Sequence, residues 1–173
     1  MKKSVVFFLA VFLSVFFISC DSKPLPNLLG TWEANLTLKS ELNGADSSAP
    51  VAFLYTKQHV LLSFAEGGVY TKKVEQLVDR VELSQPTDDV AAAKEYFSQF
   101  FNKNLVFDGE FSQMKGELSF KVVTVQSGTE NPLPYLEFFV KDPSIGDEET
   151  LSSYELKEDG TLVIDWASFK KAE

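Results

Sequence analysis

The chain has 173 residues, of which 45% are apolar and 24% charged, with 16 Lys and Arg against 25 Asp and Glu for a formal charge of −9. That composition holds enough apolar side chain for one core and excludes disordered, collagen-like and polytopic membrane classes. One Cys and one His exclude a disulfide framework and a thiolate zinc site, and leave a single imidazole for acid–base chemistry.

Lys2 and Lys3 precede an uncharged run, Ser4 to Ile18, that ends at Ser19 and Cys20. A positive start, an apolar stretch and small residues form the order of a secretory signal, and the stretch falls short of the ~20 residues that a spanning helix needs. Phe17-Ile18-Ser19-Cys20 resembles the end of a bacterial lipoprotein signal, in which a peptidase cuts just before a lipid-modified Cys. The resemblance implies a signal peptide over 1–19 and a lipidated Cys20 carrying diacylglycerol and a palmitate-type chain. It also implies attachment to a membrane of the cell envelope, with the domain outside the cytoplasm. Each buried CH₂ of the anchor contributes roughly 0.8 kcal/mol, so two or three chains hold permanently. An ordinary signal that leaves Cys20 a free thiol is the other reading. Asp21 matches an inner-membrane retention signal of enteric-type lipoproteins, and reads equally as the polar start of a tether over 20–27, kept extended by Pro24 and Pro26.

Loss of Lys2 and Lys3 takes the formal charge from −9 to −11. Such a domain repels phosphates and anionic lipid heads, so no nucleic acid partner is expected, and the acyl chains alone would hold it to a membrane. Residues 28–173 have the length of one domain.

From Trp32 to Leu42 the even positions are mostly apolar and the odd ones mostly polar, the period-2 pattern of a strand with one face on a core. Asn43-Gly44 through Pro50 reads as a loop. Val51-Phe53-Tyr55 and Val60-Leu62-Phe64 continue the alternation around a polar break at Thr56 to Gln58. Gly67-Gly68 then suits a hairpin turn, and Tyr70, Val74 and Val78 fall in a strand region ending near Leu83. Leu105–Ser112 with Glu117–Gln126, and Leu151–Lys157 with Thr161–Trp166, are strand, Gly turn, strand units. Tyr135–Lys141, bounded by prolines, reads as a short strand.

One segment has a different period. Thr87-Asp88-Asp89 offers an N-cap, and Val90, Ala93, Phe97, Phe100 and Phe101 recur at helical spacing up to Asn102. This predicts an amphipathic helix of about four turns whose Phe stripe covers an open end or side of the β structure.

Leu28-Leu29-Gly30-Thr31-Trp32 resembles the Gly-X-Trp opening of lipocalins and of bacterial lipocalin-like lipoproteins. Phe64 to Tyr70 is similar to the family's second-strand turn, and Asp159-Gly160-Thr161-Leu162 to its late hairpin. The resemblance implies an eight-stranded barrel, closed by Gly30 and Trp32 at its base and open at the other end to a small apolar ligand. Lipocalins place an Arg from the end of the chain over that Trp. The one Arg here is Arg80, mid-chain, which leaves Lys170 or Lys171 for that place. The expected fold is therefore all-β, a lipocalin-like antiparallel barrel of about eight strands with one amphipathic helix inserted mid-chain. A β-sandwich with a helix is the alternative. Eight strands enclose either packed side chains or a cavity for one small molecule.

Reactive groups are sparse. His59 has no nucleophile motif beside it, and no His-Glu-x-x-His or phosphate-cradling Gly loop is present, so neither catalysis, a metal nor a cofactor is expected. Asp142, Asp147, Glu148 and Glu149 do not match the EF-hand spacing and read as a solvated loop. Glu110, Glu117 and Glu137 have no separation fixed by sequence. Aromatics remain: Phe53, Tyr55, Phe64, Tyr70 and Phe120 are candidates for lining a ligand cavity. The expected function is non-catalytic binding of a small apolar or amphipathic molecule at a membrane. The alternative is a structural or protein-interaction envelope lipoprotein with a filled barrel and no ligand.

Overall fold

The computed structural model describes residues 25–43, 50–85 and 89–172. The signal region, Cys20, Asp21, Pro24, the loop from Gly44 to Ala49, and Thr87 and Asp88 lie outside the described residues. The strands are β1 (Gly30–Asn43), β2 (Pro50–Ala65), β3 (Val69–Leu83), β4 (Lys103–Met114), β5 (Glu117–Ser127), the two-residue β6 (Leu133–Pro134), β7 (Glu149–Leu156), β8 (Leu162–Ile164) and β9 (Ala167–Lys171). Helix α1 (Val90–Phe101) joins β3 to β4. A short α2 (Tyr135–Lys141) and a 3₁₀ turn (Pro143–Ile145) lie between β6 and β7.

β1 to β5 form an antiparallel meander, β7 pairs with β5, and β8 and β9 follow until β9 meets β1 through Trp32↔Lys171 and Glu33↔Lys170. The sheet is thus a closed eight-strand antiparallel barrel, with β6 added on β5. Closure leaves no second layer, which rules out the sandwich. Both apolar clusters and every barrel strand lie within residues 28–171, so this stretch carries its own core, the condition for folding as a unit.

Curvature needs one close approach. At Gly109, where the β4–β5 register shifts, an added Cβ would stand 2.0 Å from the Lys121 carbonyl oxygen and 2.9 Å from the Tyr70 ring. Only glycine permits that bend.

Three expectations are corrected. Val51–Tyr55 and Val60–Phe64 are one sixteen-residue strand, β2, because Thr56 is itself buried and the alternation runs through it unbroken. Tyr135–Lys141 is a helix: only Leu133 and Pro134 pair as a strand, and Tyr135 and Phe138, three apart, are the buried residues that follow. Thr161–Trp166 ends early at Ile164, turns at Asp165 and Trp166, and returns as β9. No glycine marks that turn. Asp165 adopts φ 51° and its carboxylate accepts from the Ser153 backbone N–H at 2.9 Å. Asp and Asn are the non-glycine residues that enter this region most readily.

β1, β2 and β3 are longer than the barrel wall. Pairing of β3 with β4 stops at Gln76↔Lys103, and β1 pairs with β9 only at its start, so the far halves of the three strands extend past the barrel. Helix α1 takes the place that β4 leaves. Asp89 caps its start by accepting from the Ala92 N–H at 2.9 Å. At its end Asn102 Oδ1 accepts the Val78 N–H at 2.7 Å, and Gln76 Nε2 donates to the Phe101 carbonyl at 2.7 Å. Ala93, Phe97 and Phe101 pack on Ala52, Leu54, Val78 and Val81, while Val90 and Phe100 are exposed. The helix therefore covers the extension beside the open end.

Candidate functional site

The two ends of the barrel differ. At the base, where the chain enters β1, Trp32 is 3% exposed and its indole Nε1 donates to the Leu28 carbonyl at 2.7 Å. Lys171 Nζ lies 4.9 Å from the Trp32 ring and donates to the Leu29 carbonyl at 2.7 Å. A cation over the indole face is favourable, and of the two lysines named for this place it is Lys171 that occupies it. Gly30, with φ 108°, lets the chain turn there in a conformation that L side chains rarely adopt. Phe64 fills the same end, its ring 4.7 Å from Phe111 and 6.1 Å from Phe120.

Above this plug the barrel holds a chamber of about 200 Å³, whose apolar wall includes Leu62, Tyr70, Phe107, Phe120, Ile164 and Phe169. A cleft of about 520 Å³ lies toward the other end, bordered by Ser40, Gln58, Gln76, Lys103, Asp142 and Phe100. Lys72, Phe107 and Ile145 border both, so the two spaces meet at these side chains. The larger space lies within the ~300–1,000 Å³ of small-molecule sites, and the smaller is of a size to take one end of a ligand.

Polar groups in the mouth are mostly satisfied by one another. Gln58 Nε2 donates to Gln76 Oε1. Lys103 Nζ meets Asp142 Oδ2 at 2.6 Å and Ser144 Oγ at 2.6 Å, which ties β4 to the 3₁₀ turn across the opening. Burial pushes the Asp142 carboxyl up, but the bonds from Lys103 and Ser144 outweigh it and hold the group below the usual carboxylate range.

Lys72 is different. It stands opposite Leu62 and Phe107, both buried and inward, between Tyr70 and Val74, also buried. Lys72 is itself exposed and lines both spaces, and desolvation by the surrounding barrel lowers the amine's pKa from its ordinary value. Its nearest charge-stabilising neighbour is the Phe107 ring, 5.7 Å from Nζ; no carboxylate or hydrogen-bond acceptor pairs with it among the described residues. Nearby, burial and then the Asp108 charge push the Tyr70 phenol up to about 12, so it stays neutral.

Of the five aromatics expected to line a cavity, Tyr70 and Phe120 do. Phe64 is packed into the base. Phe53 and Tyr55 are on the outer face: Lys39 Nζ sits 3.9 Å over the Phe53 ring, and Arg80 sits 4.1 Å over Tyr55, whose hydroxyl donates to Glu82. The parity of an unbroken β2 requires this, because Ala52 and Leu54 take the inward positions between them. Lys72 is not among the sequence candidates, although it shares the parity of Tyr70, Val74 and Val78, which the structure buries.

The remaining candidates do not converge. His59 Nε2 lies 3.0 Å from Glu33 Oε1 on the outer face. Glu149 pairs with Lys121 at 3.4 Å, and Glu110, Glu117 and Glu137 are all exposed on separate elements. Among the described residues no three His, Cys, Asp or Glu side chains are placed to hold a metal ion, and no helix is long and apolar enough to cross a membrane.

No protein-family model matches the chain, and no curated protein or solved structure matches it either.

Proposed function

We propose that this chain is a bacterial envelope lipoprotein, anchored through Cys20, whose barrel binds a small apolar or amphipathic molecule without chemical turnover. The observation that carries the binding reading is the interior: an apolar chamber of about 200 Å³ that shares Lys72, Phe107 and Ile145 with a cleft of about 520 Å³. A scaffold needed only for its outer surface gains stability by filling such space, since empty volume forfeits dispersion contacts. The anchor rests on the order of residues 1–20 and on the resemblance stated above.

The N-terminal chain reaches the barrel at its base, where Gln113 Nε2 donates to the Pro26 carbonyl at 2.9 Å and Leu28 is buried. Tethered through Cys20, the protein would hold its mouth away from its point of attachment, toward the aqueous space.

Organic extraction and mass spectrometry of purified residues 21–173 test the binding reading, and a co-purified amphiphile is the expected result. An extract empty of any such molecule would favour the structural or interaction lipoprotein instead. Incorporation of radioactive palmitate by the full chain, abolished in Cys20→Ser, tests the anchor. Label that persists in Cys20→Ser would refute attachment through that residue.

A further inference from the structure

We infer that the molecule bound in the barrel is an amphiphile with a single carboxylate head, held by Lys72 where the apolar chamber opens into the polar cleft. This rests on the binding reading and names the chemistry of its ligand.

Two lysines border the cavity, and only one of them is already neutralised. Lys103 has the Asp142 carboxylate and the Ser144 hydroxyl, both at 2.6 Å. Lys72, which lines both spaces, has the face of Phe107 and no anion among the described residues. An ammonium on an otherwise apolar wall, exposed and without a counter-charge, is free to pair with whatever anion enters the cavity, and its apolar neighbours make such a pair stronger than it would be in open water. The lowered pKa of the amine agrees with a partly desolvated position.

The surroundings narrow the partner. A single unpaired cation matches a single negative charge. Asp142 and Asp147, which border the two spaces, oppose a second. On the inner side of Lys72 the wall is Leu62, Tyr70, Phe120, Ile164 and Phe169, which suits a hydrocarbon and offers no second cation. An apolar body in the chamber with its carboxylate on Nζ satisfies both. A charge-assisted bond in such a site is about twice as strong as a neutral one.

Octanoate, octanol and octylamine share one tail and differ in head, so calorimetric titration of residues 21–173 with each at neutral pH separates the contributions. The expected result is octanoate binding at least about tenfold tighter than octanol, as a bond to a charged group implies, with octylamine weakest. Lys72→Met should erase the advantage of octanoate over octanol, and Lys72→Arg should retain it. Equal binding of octanoate and octanol by the native domain, or a preference that survives Lys72→Met, would overturn the carboxylate assignment and leave a neutral apolar binder. Failure of all three probes to bind the native domain would overturn this inference and count against the binding reading with it.

Discussion

Trp32 and Lys72 represent opposite uses of an inward side chain. Trp32 is buried, has its indole N–H satisfied by Leu28 and carries a lysine over its ring, so every part of it contributes to the fold. Trp32→Ala should cost about 3–5 kcal/mol, read as a lower urea midpoint. A loss near zero would show that the base is not packed around it. Lys72 works against the fold. Its folded pKa is below the ordinary 10.5, so between the folded value and 10.5 the unfolded chain binds more protons and stability rises with pH. Below the folded value the penalty is fully present. Lys72→Met should therefore raise the urea midpoint at neutral pH and remove that alkaline rise. Tyr70, whose phenol is held up at about 12, acts oppositely by losing stability as pH climbs above 10, but it is common to both proteins and cancels in the comparison. A midpoint for Lys72→Met below that of the native domain would mean that the amine has a stabilising partner.

At the level of elements, α1 shows how a helix can take over the edge of an unfinished sheet. β4 leaves β3 at Gln76, the Val78 N–H beyond it donates to Asn102 Oδ1 at the end of the helix, and the Gln76 side chain donates to the Phe101 carbonyl there. The apolar side of α1, Ala93, Phe97 and Phe101, covers the second cluster, and Phe100 borders the cleft. Asn102→Ala leaves the Val78 N–H without its acceptor. It should destabilise by about 1–3 kcal/mol, visible as faster amide exchange in Leu77–Leu83 than in the barrel strands. Exchange that is uniform across β3 would show that the helix end does not secure it. The period of 3.6 over Val90–Phe101 made the helix readable in advance. Its place was not readable, because the two hydrogen bonds that fix it join residues 24 and 25 apart.

For the molecule as a whole, alternation and turn residues were enough to name an antiparallel β fold of about eight strands with a helix in its middle. Both signals are local: a strand with one buried face alternates every two residues, and a positive-φ turn calls for glycine. Where a local signal was absent or misleading, the reading failed. Asp165 makes a hairpin turn without glycine, so β9 went unseen. The polar stretch Thr56–Gln58 looked like a break and moved Phe53 and Tyr55 to the wrong face. Whether the sheet closes was a different kind of question. It depends on β9 meeting β1 across more than 130 residues of chain, through Trp32↔Lys171, and on the bend at Gly109 that needs Lys121 and Tyr70 in place. The cavity, and an ammonium left in it without a partner, follow from that closure. A strand pattern can say that Lys72 faces the same way as Tyr70 and Val74, but only the assembled wall determines which charges come within its reach.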